Sequence, residues 1–332
     1  MNNLVRKIST AIVVLTLAVL STGTAQAVGT RTLATNNVLY GFDGAQQSSW
    51  GTLSRLNPTT GAATTVGSRG TYSPYGFPYQ PAFDPTSGAI YWINSDFNNA
   101  TPNYLMKANT ETGQSILIGE FLAGSTATPI DSLVITPAGL MYAFADRALY
   151  SVNKTTGALT LITSTLDLGR IYSAAYNPAD QKVYIISNEN GAGMATVELT
   201  TGAMTAVLPF SSFPNLGAGT SDQSKRTYSM TFDQSGNMWA INLNGDLISS
   251  AITTSSTAGT EFVDNFELVG APGATMTTAV VIGYPVSGGN DGGSELANTG
   301  TEEALTTQAL AVATSTVALG IAMMLLQRRR KN

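Results

Sequence analysis

The chain has 332 residues, with 16 Lys plus Arg against 21 Asp plus Glu for a net charge of −5, and it has neither His nor Cys. Without imidazole or thiol there is no Ser/His/Asp or Cys/His catalytic group, no disulfide framework, no iron–sulfur cluster and no His- or Cys-ligated metal, and neither a metal nor a cofactor is expected. Charged residues make up 11% of the chain, well below the roughly 25% of an average globular protein. Ser, Thr, Asn and Gly supply the polarity instead, which suits a turn-rich, all-β extracellular domain better than a helical enzyme.

Residues 1–27 hold Arg6 and Lys7, an apolar stretch from Ala11 to Leu20, and small or polar residues ending in Ala25-Gln26-Ala27. This three-part order predicts a secretory signal peptide cleaved after Ala27, so that the mature chain begins at Val28. The competing reading is an N-terminal membrane anchor, for which the apolar run is short against the ~20 residues a bilayer needs.

Residues 28–286 carry an internal repeat. Four segments read as apolar strand, turn, apolar strand: Gln80 to Asn94, Asp131 to Phe144, Tyr172 to Ile186 and Tyr228 to Ile241. Pro, Asp, Asn, Ser and Gly cluster between the apolar runs, as tight β connections require. A second hairpin follows each pair, with turns at Asn109 to Gly113, Asn153 to Gly157 and Glu198 to Gly202, an earlier copy at Asn57 to Gly61 and a weak one near Ala258-Gly259.

Four short strands per unit of ~40–50 residues is the pattern of a β-propeller blade. The first unit has strands at Val38–Phe42, Leu53–Leu56 and Ala62–Val66 but lacks a leading strand, while a spare strand, Thr277 to Tyr284, stands at the C-terminal end. If the spare strand completes the first unit, five blades close into a ring with no open edge. A sixth blade would need a degenerate unit in 67–79 or 210–226, which read as loops. The architectural competitor is a β-sandwich, which does not predict the repeated two-turn unit.

Asp84 and Asp233 are candidate paired carboxylates for a hydrolase working at the ring axis. However, they occupy one repeat position, with Thr136 and Asn177 as counterparts, which favours turn capping. Asn242 to Asp246 has oxygen ligands near a Gly but lacks the spacing of an EF-hand loop and reads as a hairpin turn. In Thr71 to Gln80, the rings Tyr72, Tyr75, Phe77 and Tyr79 alternate with residues that stiffen or turn the chain. They form a candidate ligand loop for a glycan or a partner protein, or else the packing of the seam between the first two blades. Trp92 and Trp239 are predicted to lie in blade cores.

The C-terminal region begins with a Gly-rich linker, residues 287–295, which behaves as a flexible spacer. Leu296-Ala297-Asn298-Thr299-Gly300 follows, then an uncharged stretch, 304–326, long enough to cross a bilayer as a helix, then a basic tail, 327–332, predicted to stay in the cytoplasm. This order of pentapeptide, apolar helix and basic tail resembles the cell-wall sorting signal of Gram-positive surface proteins. Ala297 stands where the usual pentapeptide has Pro, similar to the Leu-Ala-x-Thr-Gly variant associated with class E sortases of actinobacteria. The resemblance implies a sortase as transient partner, cleavage between Thr299 and Gly300, and covalent transfer of the Thr299 carbonyl to a peptidoglycan amine. The alternative is a plain single-pass anchor.

Removal of the signal and of everything after Thr299 leaves ten basic and nineteen acidic residues, a net charge of −9. Nucleic acid, which requires a basic surface, is not an expected partner. The reading is therefore a non-enzymatic, cell-wall-anchored surface propeller that binds a glycan or a protein, with a wall-attached carbohydrate hydrolase and a structural coat component as alternatives.

Overall fold

A computed structural model describes residues 33–43, 51–69, 76–95, 103–187, 193–208, 227–242, 245–254, 261–270 and 277–284. The predicted signal peptide, the Gly-rich linker, the sorting motif, the apolar stretch 304–326 and the basic tail lie outside the described residues, among which no helix is long and apolar enough to cross a membrane.

Within the described residues, strands form five sheets, each built on four antiparallel strands that are consecutive in sequence in all but the first. The first blade holds β1 (Val38–Asp43), β2 (Leu53–Leu56) and β3 (Ala63–Thr65), and the second β4 (Phe77–Asp84), β5 (Ala89–Ser95), β6 (Tyr104–Ala108) and β7 (Ser115–Glu120). A short hairpin, β8 (Leu122–Ala123) and β9 (Thr126–Ala127), precedes the third blade, β10 (Ser132–Ile135), β11 (Met141–Ala145), β12 (Ala148–Val152) and β13 (Ala158–Thr163). The fourth blade is β14 (Ser173–Asn177), β15 (Lys182–Ser187), β16 (Gly193–Val197) and β17 (Met204–Leu208). The fifth is β18 (Thr227–Phe232), β19 (Asn237–Asn242), β20 (Leu247–Thr254) and β21 (Glu261–Gly270), and β22 (Thr277–Gly283) follows.

β22 does complete the first blade. It pairs antiparallel with β1 from Val38↔Gly283 to Asp43↔Thr277 and becomes the innermost strand of that sheet. The five innermost strands, β22, β4, β10, β14 and β18, each neighbour the next around a common axis, and β18 returns to β22. All five run the same way. They start at what we term the upper face and end at the lower face, which also carries the turns between the third and fourth strands of the first four blades.

Each sheet is buried on both sides, which is why its inner strands read as continuous apolar runs. Alternate residues of one strand feed different seams. In β5, Ile90 and Trp92 pack with Tyr40, Phe42 and Val281 of the first blade, whereas Tyr91 and Ile93 pack with Leu133 and Met141 of the third. Trp92 and Trp239 are fully buried. Near the axis, hydroxyls tie one inner strand to the next: Ser173 Oγ accepts from Met230 N at 2.9 Å, and Thr231 Oγ1 accepts from Ile282 N at 3.0 Å.

The outer turns repeat one chemistry. Asn57, Asn109 and Asn153 each accept backbone N–H bonds through Oδ1 from residues two or three ahead, and Glu198 takes the role in the fourth blade. Each turn ends at a Gly with positive φ, 73° at Gly61 and Gly113, 79° at Gly157 and 78° at Gly202. Gly119 and Gly157 meet across the second seam, where a Cβ on Gly119 would sit 2.2 Å from Thr156 O.

The structure differs from the sequence reading in two places. Residues 77–79 are strand rather than loop: β4 starts at Phe77, and a register shift between Tyr79 and Ala82 absorbs the extra length. The hairpin β8–β9 was not foreseen, and it lies parallel against β13, covering the outer edge of the third blade. Exposed strand edges are aggregation templates, so this cover carries a structural benefit.

Candidate functional site

The two acidic candidates lie under lower-face turns. Asp84, 1% exposed, ends β4 and accepts from Thr86 N at 3.0 Å, Thr86 Oγ1 at 2.7 Å and Ser87 Oγ at 3.0 Å. Its Oδ2 also receives Lys154 Nζ at 2.6 Å, an ion pair that joins the second blade to the third. Asp233, fully buried, accepts from Ser235 N and Asn237 N at 2.9 Å, Asn237 Nδ2 at 2.8 Å and Ala34 N at 3.3 Å. In the corresponding turn, Asn177 Oδ1 accepts from Ala179 N at 3.0 Å. Both carboxylates are thus committed to turns, as the repeat position implied.

Burial pushes Asp84 upward, but the Lys154 ammonium and the Thr86 donors outweigh it and hold the carboxyl below its usual value of 3.8. Burial, with the Asp84 charge beside it, pushes the neighbouring Tyr91 up to about 12. A carboxyl with a depressed folded pKa adds stability above its unfolded value, and that stability is lost as pH falls through the folded one. Acid should therefore weaken the wild-type fold below pH 3.8 more steeply than it weakens Asp84→Asn. At about pH 7 the variant should lose about 1–3 kcal/mol, the worth of hydrogen bonds to a charged group. Urea unfolding at several pH values checks both expectations.

A second ion pair marks the upper face. Arg170 Nε donates to Asp131 Oδ1 at 2.6 Å, Asp146 N donates to Asp131 Oδ2 at 2.7 Å, and the guanidinium lies 5.2 Å from the Tyr172 ring centroid. Burial pushes the Asp131 carboxyl up, against the pull of Arg170 and the Asp146 N–H. The pair binds the leading ends of the third and fourth blades and was not foreseen from the sequence.

Of the predicted ligand-loop rings, Tyr72 and Tyr75 lie outside the described residues. Phe77 and Tyr79 belong to β4, and Tyr79 packs half-buried against the core between the second and third blades. The structure therefore assigns two of the four rings to an inner strand. Asn242 and Asp246 close the β19–β20 turn on each other, Asp246 N donating to Asn242 Oδ1 at 2.9 Å. Among the described residues, no group of three or more acidic side chains is placed to hold a metal.

The feature missed by sequence reasoning is an axial pocket. All five innermost strands line it, with Ala82, Val134, Ala175, Met230 and Val281 among its walls. Phe83, Tyr176 and Tyr284 also line it and are only partly buried, each packed against an inter-blade core, which puts the mouth at the lower face. The Phe83 and Tyr284 rings meet edge to face at 4.9 Å between centroids. Burial raises the phenol pKa of both Tyr176 and Tyr284, reinforced by Asp180 beside the first and by Tyr176 and Asp84 near the second. The lining contains no carboxylate, Lys or Arg. A signal for it was present in the repeat: Phe83, Ile135, Tyr176 and Phe232 each directly precede the turn residues Asp84, Thr136, Asn177 and Asp233.

No protein-family model matches the sequence, and no curated protein matches it. Among solved structures, the chain is similar to a symmetrical protein of de novo evolutionary emergence, with 14% identity over 75% of this chain and 99% of that one and a TM-score of 0.46. It is also similar to regucalcin, a calcium-binding protein from Agrobacterium tumefaciens, with 18% identity over 59% of this chain and 60% of that one and a TM-score of 0.37. A third is a putative 6-phosphogluconolactonase from Bacteroides uniformis, with 13% identity over 70% and 68% of the two chains and a TM-score of 0.38. At such scores none of them transfers its chemistry, and what this chain does must be argued from its own residues.

Proposed function

We propose that this protein is an exported propeller, attached to the cell wall, that acts by binding a glycan or a protein rather than by catalysis. The observation that carries this reading is the disposition of its acids. Asp84 and Asp233, the carboxylates a hydrolase would place at the axis, are sealed under turns, while the lining of the axial pocket contains no carboxylate. Glycoside hydrolysis requires two carboxyl groups flanking the bond to be cut.

The signal ending at Ala27 and the motif Leu296 to Gly300 support export followed by sortase transfer of Thr299 to peptidoglycan. Tyr284, to which the C-terminal segment is joined, lies at the lower face, and Ala34 is held there by Asp233.

The test uses cells of a Gram-positive host expressing the full chain. Wild-type protein should fractionate with covalently bound wall material, and its cells should bind particular members of an array of glycans and surface proteins. Thr299→Ala should move the protein to membrane or medium and abolish cell-borne binding. An unchanged wall fraction would contradict sorting, and an array without hits would contradict the binding role.

A further inference from the structure

The seam between the second and third blades gathers three charges beside one ring, in a chain where only 11% of residues are charged. Tyr91 and Lys107 stand opposite each other on β5 and β6 and so share one face of their sheet, with the Lys107 ammonium 5.9 Å from the centre of the Tyr91 ring. Lys154 reaches the same ring from the third blade, its ammonium 6.0 Å from the centre. Both cations therefore open onto one seam.

A ligand there meets donors. The Asp84 carboxylate is 1% exposed and already accepts from Thr86 N, Thr86 Oγ1, Ser87 Oγ and Lys154 Nζ, which fills its lone pairs and leaves nothing for a sugar hydroxyl or a cation. Lys154 gives Asp84 one of its three N–H groups, and among the described residues Lys107 makes no ion pair. Gly139, at a φ of 74°, leaves the Lys154 ammonium uncovered, since a Cβ at that position would stand 3.1 Å from Nζ. Tyr91, its pKa pushed up to about 12 by burial and by Asp84, keeps its proton and adds no negative charge. Two ammonium groups against one carboxylate leave the seam positive, in a mature chain of net charge −9.

An anionic oxygen group fits these donors: it only accepts, it carries the opposite charge, and flexible lysine stems can converge on it. Arg55, exposed and opposite Tyr40, repeats the Lys107 position in the first blade. Cations one blade apart suit acidic groups spaced along a polymer, in contrast to the dense phosphates of nucleic acid.

We propose that this seam binds the acidic groups, carboxylate or phosphate, of a sparsely charged polysaccharide, through Lys107 and Lys154 with Arg55 as the next contact around the ring. This rests on the reading of the propeller as a binding module and names the class of glycan.

NMR of the full chain in detergent, with lysine side chains labelled with carbon-13, follows titrations with glucuronate, glucose 1-phosphate and glucose. The two acids should give saturable shifts at Lys107 and Lys154, and glucose should give none. Lys107→Met keeps the stem and loses the charge, so it should weaken binding about tenfold, whereas Lys107→Arg should stay within about threefold of wild type. Lys182→Met, on the fourth blade, should change nothing. Added salt should weaken binding of both acids, a readout that serves if Lys107→Met fails to fold. Tetragalacturonate should bind more tightly than glucuronate and lose that advantage in Arg55→Met. Absence of shifts at the two lysines, salt-independent binding, wild-type affinity in the folded Lys107→Met protein, or preference for tetraglutamate over tetragalacturonate would overturn the assignment. Array hits confined to uncharged glycans or to proteins would leave the binding-module reading standing while this assignment fell.

Discussion

Deleting residues 277–284 should abolish cooperative folding of the propeller. Among the described residues β22 is the last strand in sequence, and it is the innermost strand of the first blade, so its loss leaves the axial edge of β1 unpaired while β2 holds the other edge. Val280, Val281 and Ile282 are each at most 2% exposed and serve two seams, Val281 toward the second blade and its neighbours toward the fifth. Burying one such side chain is worth about 1.5–3 kcal/mol, so the three together rival the ~5–15 kcal/mol by which a domain is stable at all. The deletion also removes the acceptor and donor that Ser229 Oγ meets on Val280, both at 3.1 Å, leaving a buried hydroxyl without a partner. Far-UV circular dichroism during heating, with light scattering, is the measurement. The expected result is a broad or absent transition with aggregation, whereas a sharp transition within a few degrees of wild type would mean that the ring does not depend on the closing strand.

That strand was legible in the sequence for a simple physical reason. A propeller blade needs four strands, the first unit offers three, and Thr277 to Tyr284 is a β-branched, apolar run with no other partner in the repeat pattern. The turns were equally legible, since Asn or Glu at the start and Gly at the end are required by the hydrogen bonds and the positive φ seen at Gly61, Gly113, Gly157 and Gly202. What stayed hidden was irregular. Residues 77–79 read as loop because the rings from Tyr72 to Tyr79 alternate with residues that stiffen or turn the chain, yet β4 includes Pro78 and Pro81 and absorbs them through the shift between Tyr79 and Ala82, with Gln80 at a φ of 39°. The hairpin β8–β9 has only two residues in each strand, too few for any alternation to register.

The site was less legible than the scaffold. A single sequence shows that Asp84 and Asp233 share a repeat position and so predicts their turns, but it does not say which residues of five separate blades converge on one axis. Convergence depends on ring closure and on the side of each inner strand that faces inward. Phe83 and Tyr176 could be singled out from the repeat once the axis was known; Tyr284 could not, because it follows the closing strand and has no counterpart in the repeat. The ion pair of Asp131 with Arg170 similarly spans 39 positions and two blades.

Trp92→Ala is expected to be the most damaging single substitution, at about 3–5 kcal/mol, the usual cost of removing a fully buried large aromatic. Trp92 is 0% exposed and lies at the seam between the first and second blades, 5.4 Å from the Phe42 ring and among Ile90, Met106 and Val281. That seam is also the one sealed by the last strand, so a cavity there weakens the joint between the two ends of the fold. The indole Nε1 donates to Ser115 Oγ at 3.3 Å, and truncation would leave that buried hydroxyl without its donor. Trp92→Phe keeps most of the volume and loses the hydrogen bond, so it should cost about 1–2 kcal/mol less than the alanine variant. Urea midpoints for the pair separate the packing contribution from the polar one. Equal losses would place the whole effect on Ser115, and a loss under about 1 kcal/mol for the alanine variant would mean that the seam relaxes around the gap and is not close-packed.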